Sequence, residues 1–153
     1  MKKVLIALDY NPTAKKVAEA GYDMAKAMGA EITLLHVMVS PGMYASAYAS
    51  MGAWQIDTVG TFEALKIIEN GSRNFLEKAK LHLADESIKT IQKDGDFAQM
   101  ILETADEIHA DCIVMGSHSQ KWLENIIMGS VTQEVLRKTA IPMYIVPTRK
   151  KDL

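Results

Sequence analysis

Five short apolar runs recur along the chain, and segments with a helical pattern alternate with them. The runs are Val4–Leu8, Ile32–Val37, Ile88 to Ile91 or slightly beyond, Cys112–Met115 and Met143–Val146. Continuous apolar runs of this length are typical of strands in a sheet that helices cover on both faces. Alternation of strands with helices implies right-handed crossovers and a parallel sheet. The pattern therefore predicts one doubly wound, five-stranded α/β domain over residues 1–153.

A five-strand chain of this kind usually adopts the strand order 3-2-1-4-5. Its ligand crevice then opens at the carboxyl ends of strands one and four, where the order reverses. Residues that could carry chemistry are therefore expected directly after those two strands.

Local signals mark the ends of two helices. Asn11–Thr13 opens the first helix, and Gly29 ends it in the position after the last helical turn. Asp96 with Gln99 three residues on resembles a capping box, which predicts a helix between the third and fourth strands.

The least regular part of the chain lies between the second and third strands. Residues Val39–Gly60 are rich in Met, Ala, Ser, Gly and Tyr and show no stable period, which indicates a lid, a partner surface or a mobile loop. A helix is predicted from about Thr61 to Ala84. Asn70–Gly71 interrupts its pattern and predicts weakening or a kink, because glycine costs about 1 kcal/mol against alanine there.

Composition excludes several classes of partner. The net charge of −2 and the pI of about 6.1 provide no long-range attraction for nucleic acid or an anionic membrane. The apolar runs are far shorter than the roughly 18 residues of a membrane span, and the first is too short for a signal peptide. The single cysteine, Cys112, allows no intrachain disulfide and is expected to be a buried, inert thiol. We therefore expect a cytoplasmic protein that binds neither nucleic acid nor membrane.

The segment after strand four has the spacing of a phosphate-binding loop. Met115–Ser119 is followed by nine residues and then by Gly129–Thr132. Gly116 lets the backbone turn sharply where the strand ends. The nine residues are enough to loop out and bring both glycine turns around one phosphate chain.

The second glycine turn leads into a helix. Ser130 with Gln133 forms a predicted capping box. The free N–H groups of Val131 and Thr132 then point outward at the positive end of the helix dipole, where an anion can bind. The hydroxyls of Ser130 and Thr132 would add donors.

These residues resemble the nucleotide-binding signature of the universal stress protein family, G-x-x-G, nine residues, then G-[ST]. The likeness covers essentially the whole chain, from Val4–Asp9 through His36–Val37 and Gly95 to Pro142–Val146. The resemblance implies a Rossmann-like fold of the adenine nucleotide alpha hydrolase type. It also implies a regulatory module of the stress response that binds ATP or AMP.

The resemblance also implies roles for individual residues. In that family the acidic residue after strand one, here Asp9, reaches the ribose, and the valine after the strand-two histidine, here Val37, presents backbone groups to adenine. The glycines and the G-[ST] turn hold the phosphates. The predicted binding residues are Asp9, Val37, Met115, Gly116, Ser117, Ser119, Gly129, Ser130, Val131 and Thr132.

One position departs from the signature, because Ser119 replaces its second glycine. If that position needs a positive φ, serine costs on the order of 1 kcal/mol there. The family contains a branch that has lost the motif and does not hold ATP. A nucleotide-free dimeric universal stress protein that acts through protein–protein contacts is thus the alternative. Plainer roles also stay open: Asp9 as a cap of the first helix, and Gly116 and Gly129 as ordinary turn residues.

Other function classes lack their residues. No G-x-S-x-G elbow is present, and the four histidines show no metal-ligand spacing. Asp9–Asn11 supplies neither the paired acids of a receiver domain, nor the hydroxyl cluster of an FMN carrier, nor G-x-G-x-x-G. At most a slow ATPase is expected, with Mg²⁺ or Mn²⁺ bridging the phosphates. The apolar last strand, Met143–Val146, predicts a homodimer through this edge, with Tyr144 and Val146 near the interface.

Overall fold

The computed structural model describes residues 1–38, 58–117 and 128–148, without the side chains of residues 58–65 and 68. The strands are β1 (Lys3–Leu8), β2 (Glu31–Met38), β3 (Lys89–Asp94), β4 (Cys112–Gly116) and β5 (Met143–Val146). The described helices are α1 (Ala14–Ala27), α2 (Thr58–Leu83), α3 (Phe97–Glu107) and α4 (Ser130–Lys138). The predicted strands therefore all form, with ends that differ by up to three residues.

The strands form one sheet in the order β3-β2-β1-β4-β5, with every neighbouring pair parallel. Strand β1 is central, and its register pairs Leu5 with Thr33 on one side and with Ile113 on the other. The predicted α/β class and strand order are both confirmed.

Alternate residues of each strand face opposite helical layers. Ile6 and Leu34 belong to the core under α1 and α2, whereas Leu5, Leu35 and Ile113 belong to the core under α3 and α4. This is the period of two expected of a strand. Each strand end consequently presents one side chain to each helical layer.

Helix α1 packs close to the centre of the sheet because its residue 21 is glycine. A Cβ on Gly21 would lie 2.9 Å from Cδ1 of Ile6 and 3.0 Å from Cγ1 of Val114. The same helix ends as predicted, with Gly29 at a φ of +63° directly after its cap.

Helix α2 continues through Asn70–Gly71 without a break, so the predicted weak point does not end the helix. Gly71 instead gives room to a neighbour, since a Cβ there would lie 3.3 Å from the hydroxyl oxygen of Tyr10. The ring of Tyr10 in turn contacts His36 and Phe75 with centroid distances of 4.5 and 4.9 Å. This contact fixes the segment after β1 against α2.

Candidate functional site

A cavity of about 670 Å³ opens at the carboxyl ends of β1 and β4. This is the point where the strand order reverses, and the volume lies in the usual range for a small-molecule site. Of the predicted binding residues, those that line it are Asp9, Val37, Met115, Gly116, Val131 and Thr132. The structure thus brings together residues from two strands, the segment directly after β1 and one helix.

Three other predicted residues support this cavity without lining it. Ser117, Gly129 and Ser130 lie at the turn between β4 and α4. Ser119 lies outside the described residues, as do His118 and the loop Val39–Gly60 up to residue 57.

The base of the cavity includes an open stretch of β2. The last residue pair between β1 and β2 is Leu8 with His36, whereas the pairing of β2 with β3 continues to Met38 with Asp94. At Val37 the strand therefore has a paired neighbour on the β3 side only. Its other edge borders the cavity.

Asp9 stands at the mouth of the cavity, directly after β1. The residue is exposed, yet the protein around its carboxyl group removes enough water to raise its pKa above the usual value. A backbone hydrogen bond from Asn11 opposes this shift. The N-cap position of α1 belongs to Thr13, whose N–H donates to Oδ1 of Asn11 at 3.1 Å. The cap interpretation of Asp9 is therefore wrong.

Ser117 joins three elements through all of its polar groups. Its N–H donates to the carbonyl of Val146 at 2.9 Å, and its carbonyl accepts from the N–H of Gly129 at 2.5 Å. Its Oγ accepts from the N–H of Thr148 at 3.0 Å, and the side chain is only 7% exposed. Ser117 therefore holds the start of α4 against β4 and β5, and its placement does not support a direct phosphate contact.

The predicted capping box at Ser130 is wrong. Gly129 is the N-cap, and the first helical hydrogen bond runs from the N–H of Gln133 to the carbonyl of Gly129 at 3.0 Å. The Gln133 side chain donates to the carbonyl of Met128 at 3.0 Å instead. Gly129 takes the cap position because Ser117 fixes its N–H, a contact between residues distant in sequence that local sequence does not reveal. The N–H groups of the next three residues precede the first helical bond.

Thr132 ties the first turn of α4 to the end of β4. Its hydroxyl donates to the carbonyl of Gly116 at 2.9 Å, and the side chain is 4% exposed. The predicted use of this hydroxyl as a ligand donor is therefore wrong, because its proton is engaged within the protein. At the helix start, the backbone N–H groups of Val131 and Thr132 belong to residues that line the cavity and precede the first helical hydrogen bond.

Sequence reasoning missed part of the cavity wall. Tyr10, Phe97 and Ile101 also line the cavity. For Phe97 and Ile101 a signal existed, since Phe97 follows the cap Asp96 at the carboxyl end of β3, the same edge of the sheet. The residues that follow the strands of a parallel sheet all lie at the same edge. Residues after the third strand are therefore site candidates in the same way as those after the first and fourth strands.

Behind the cavity, a buried histidine joins β2 to α2. Nδ1 of His36 lies 2.5 Å from Oγ of Ser72, and both side chains are buried. Burial lowers the pKa of His36, because its charged form would lose water. This pair anchors β2 directly before Val37.

The sequence comparisons decide the family. Residues 1–147 match the sequence profile of the Universal stress protein family. The chain belongs to this family. Stress response protein NhaX of Bacillus subtilis is 31% identical, with 94% of this chain and 96% of that protein covered.

Solved structures of family members share the fold. The solved structure of the protein MJ0577 superposes on this chain with a TM-score of 0.77. The two sequences are 25% identical, and 98% of each chain is covered. A universal stress protein in complex with cAMP is 20% identical, with a TM-score of 0.61 over 97% of this chain and 98% of that one. At that identity the second likeness concerns the fold alone.

No helix within residues 1–38, 58–117 and 128–148 is long and apolar enough to cross a membrane. Across those same ranges, no three His, Cys, Asp or Glu side chains cluster so that they could hold a metal ion.

Proposed function

We propose that this universal stress protein is a regulatory module of the stress response that binds an adenine nucleotide, ATP or AMP. The observation that carries the proposal is the order of chemical groups along the cavity. Apolar side chains and an open strand edge lie at β2, a carboxylate follows β1, and helix N–H groups lie beside β4. A nucleotide has the matching order of base, ribose and phosphate.

The dimensions of the sheet agree with this order. From β2 to β4 the cavity spans two strand spacings, roughly 10 Å. Adenine would meet the backbone of Val37, and the ribose hydroxyls would meet the carboxylate of Asp9. Both contacts are the ones that family resemblance implies.

The phosphates would lie at the start of α4. Ser130, Val131 and Thr132 offer backbone N–H groups at the positive end of the helix dipole, and Gly116 leaves the strand end free of a Cβ. Met115 lines the same end of the cavity. Ser117 and Gly129 would act by holding this turn in place, and Ser119 belongs to the proposal through the signature alone.

A bound metal ion would be coordinated by the phosphates and not by a cage of protein side chains. Asp9 is the one carboxylate among the described residues that line the cavity, which is too few ligands for Mg²⁺ or Mn²⁺ by itself. Either ion would therefore bridge phosphate oxygens. Hydrolysis is expected to be slow, below about 1 s⁻¹, because no general base stands at the phosphate end within the described residues.

Replacement of Gly129 by valine tests the proposal directly. The φ of −64° at Gly129 is open to any residue, so the variant should fold. Gly129 directly precedes the N–H groups proposed to bind the phosphates, so a branched side chain here should obstruct them and abolish binding in calorimetry. Arg137→Val, at an exposed position two turns further along α4, is the matched control and should bind as the wild type does.

A second measurement addresses the wild type alone. Clean protein is denatured, and anion exchange of the supernatant identifies any adenine nucleotide that copurified. If calorimetry detects no binding of ATP or AMP even near about 1 mM, the proposal fails. The alternative of a nucleotide-free interaction protein then stands.

Assembly as a homodimer is the other part of the proposal. Strand β5 is an edge strand that pairs only with β4 among the described strands, and Tyr144 on it is 41% exposed. Antiparallel meeting of two such edges would cover both. The side chain of Val146 is buried in the core of its own subunit, so only its backbone edge could take part.

Tyr144→Asp is the variant that this burial pattern recommends. It places a charge on the exposed face of the edge without disturbing the core. Sedimentation equilibrium should give a dimer for the wild type and a monomer for the variant. A wild type that is monomeric at tens of micromolar contradicts the dimer, and a dimeric variant moves the interface elsewhere.

A further inference from the structure

The turn between β3 and α3 is fixed in place beside the end of β2. The N–H of Gly95 donates to the carbonyl of Met38 at 2.9 Å. Asp96 is the N-cap of α3, and its Oδ1 accepts from the N–H of Gln99 at 2.9 Å. Phe97 is consequently the first residue of α3 and has a defined position beside the end of β2.

Phe97 belongs to the same wall of the cavity as Val37. Phe97 and Ile101 are four residues apart, so they are neighbours on one face of α3, and both line the cavity. Ile101, like Leu35 and Val37, belongs to the core under α3 and α4. Ile101 is buried and Phe97 stands one turn further out, at the mouth.

Phe97 lines the cavity and remains partly open to solvent. It is 42% exposed. Phe75, by contrast, packs its ring against Tyr10 and His36. No aromatic partner for Phe97 occurs among the side chains that the structure describes. A large apolar ring therefore faces water at the end of the cavity where the backbone of Val37 is open.

We propose that Phe97 is a specificity-determining residue whose ring stacks on the planar base of the bound nucleotide. This inference rests on the proposed nucleotide function and adds to it the group that selects an aromatic base. Planar bases stack well on aromatic side chains, and their edge can at the same time meet a strand backbone. Phe97 would cover one face of the base while Val37 meets its edge.

The test compares a ligand that has a base with one that lacks it. Phe97→Ala should weaken ATP binding roughly 5- to 150-fold. Phe97→Leu, which keeps apolar volume without the ring, should lose most of the same affinity. Phe97→Tyr should bind ATP about as the wild type does. Inorganic tripolyphosphate should bind all of these proteins equally, because Phe97 lies away from the start of α4.

Leu136→Ala is the matched control. Leu136 is 47% exposed and lies on α4 outside the cavity lining. The Leu136→Ala substitution removes a similar amount of exposed apolar surface and should leave the binding of both ATP and tripolyphosphate unchanged. Equal losses of ATP and tripolyphosphate in Phe97→Ala would show a general disturbance and overturn the stacking role.

Fluorine NMR gives an independent readout on the wild type. With 4-fluorophenylalanine at the chain's three phenylalanines, Phe97→Leu identifies the resonance of Phe97. ATP and adenosine should both shift this resonance, and tripolyphosphate should not. If ATP binds without moving it, the stacking role is wrong and the proposed function stands. If the wild type binds neither ATP nor adenosine, both the stacking role and the proposed function are wrong.

Discussion

Thr132 offers a sharp test of how the phosphate turn is held, because one hydroxyl joins α4 to β4. We consider Thr132→Val, which preserves the shape of the side chain and removes the donor to the carbonyl of Gly116. The side chain is 4% exposed, so water cannot readily replace the lost hydrogen bond. Leaving a buried acceptor without its donor costs about 1–3 kcal/mol.

The expected loss is measurable as stability. Urea unfolding should show a lower midpoint with an unchanged slope, because the surface exposed on unfolding is the same. In a chain of this length 1 kcal/mol corresponds to roughly 2–4 °C in Tm. Thr132→Ser keeps the hydroxyl and should retain the hydrogen bond, with only the smaller loss of a buried methyl group.

Loss of this hydrogen bond should also weaken phosphate binding. Freed from Gly116, the first turn of α4 should align its N–H groups less well, so Thr132→Val should weaken tripolyphosphate and ATP to the same degree. A Thr132→Val protein as stable as the wild type would refute the structural role of this hydrogen bond. The comparison isolates the hydroxyl if Thr132→Ser loses clearly less stability than Thr132→Val.

Two further predictions concern the packing behind the site. Gly21→Ala should destabilise the protein by about 1–3 kcal/mol in urea unfolding, because its Cβ would overlap Ile6 and Val114. Gly29→Ala is its control, since a Cβ there meets nothing within 4 Å and only the φ of +63° costs about 1 kcal/mol. Burial lowers the pKa of His36, so the unfolded chain takes up a proton first as pH falls. The contribution of His36 to the free energy of unfolding should be constant above about pH 6.5 and decrease below it, and His36→Asn should remove this part of the slope. A slope unaltered in that variant would assign the pH dependence to other groups.

The fold was predictable because its signals are local and repeated. Each strand is a continuous apolar run, and caps such as Asp96 lie within a few residues of the backbone groups they bind. The strand order then followed from the alternation of elements. The ends of β3 were less clear, because this edge strand reads Lys89–Asp94 with mostly half-buried side chains and has no continuous apolar run.

The site was predictable only in part, because its finer geometry depends on contacts between distant residues. Ser130 and Gln133 satisfy the spacing of a capping box, yet a hydrogen bond from Gly129 to Ser117 moves the cap by one residue. Nothing within the segment itself reveals that bond. Phe97 is a different case, because a signal for it existed: it follows the predicted cap Asp96 at the carboxyl end of the third strand.

The hydroxyl side chains and the backbone N–H groups between β4 and α4 have different roles. Ser117 and Thr132 bond to protein atoms with their side chains, whereas the backbone N–H groups of the first three residues of α4 precede its first helical hydrogen bond. In such a site the hydroxyls set the positions of donors and do not themselves select the ligand. Selection then has to come from elsewhere, and the exposed ring of Phe97 at the opposite end is suited to it. Substitutions at the turn should therefore change stability and phosphate affinity together, while substitutions at Phe97 should change affinity only for ligands that carry a base.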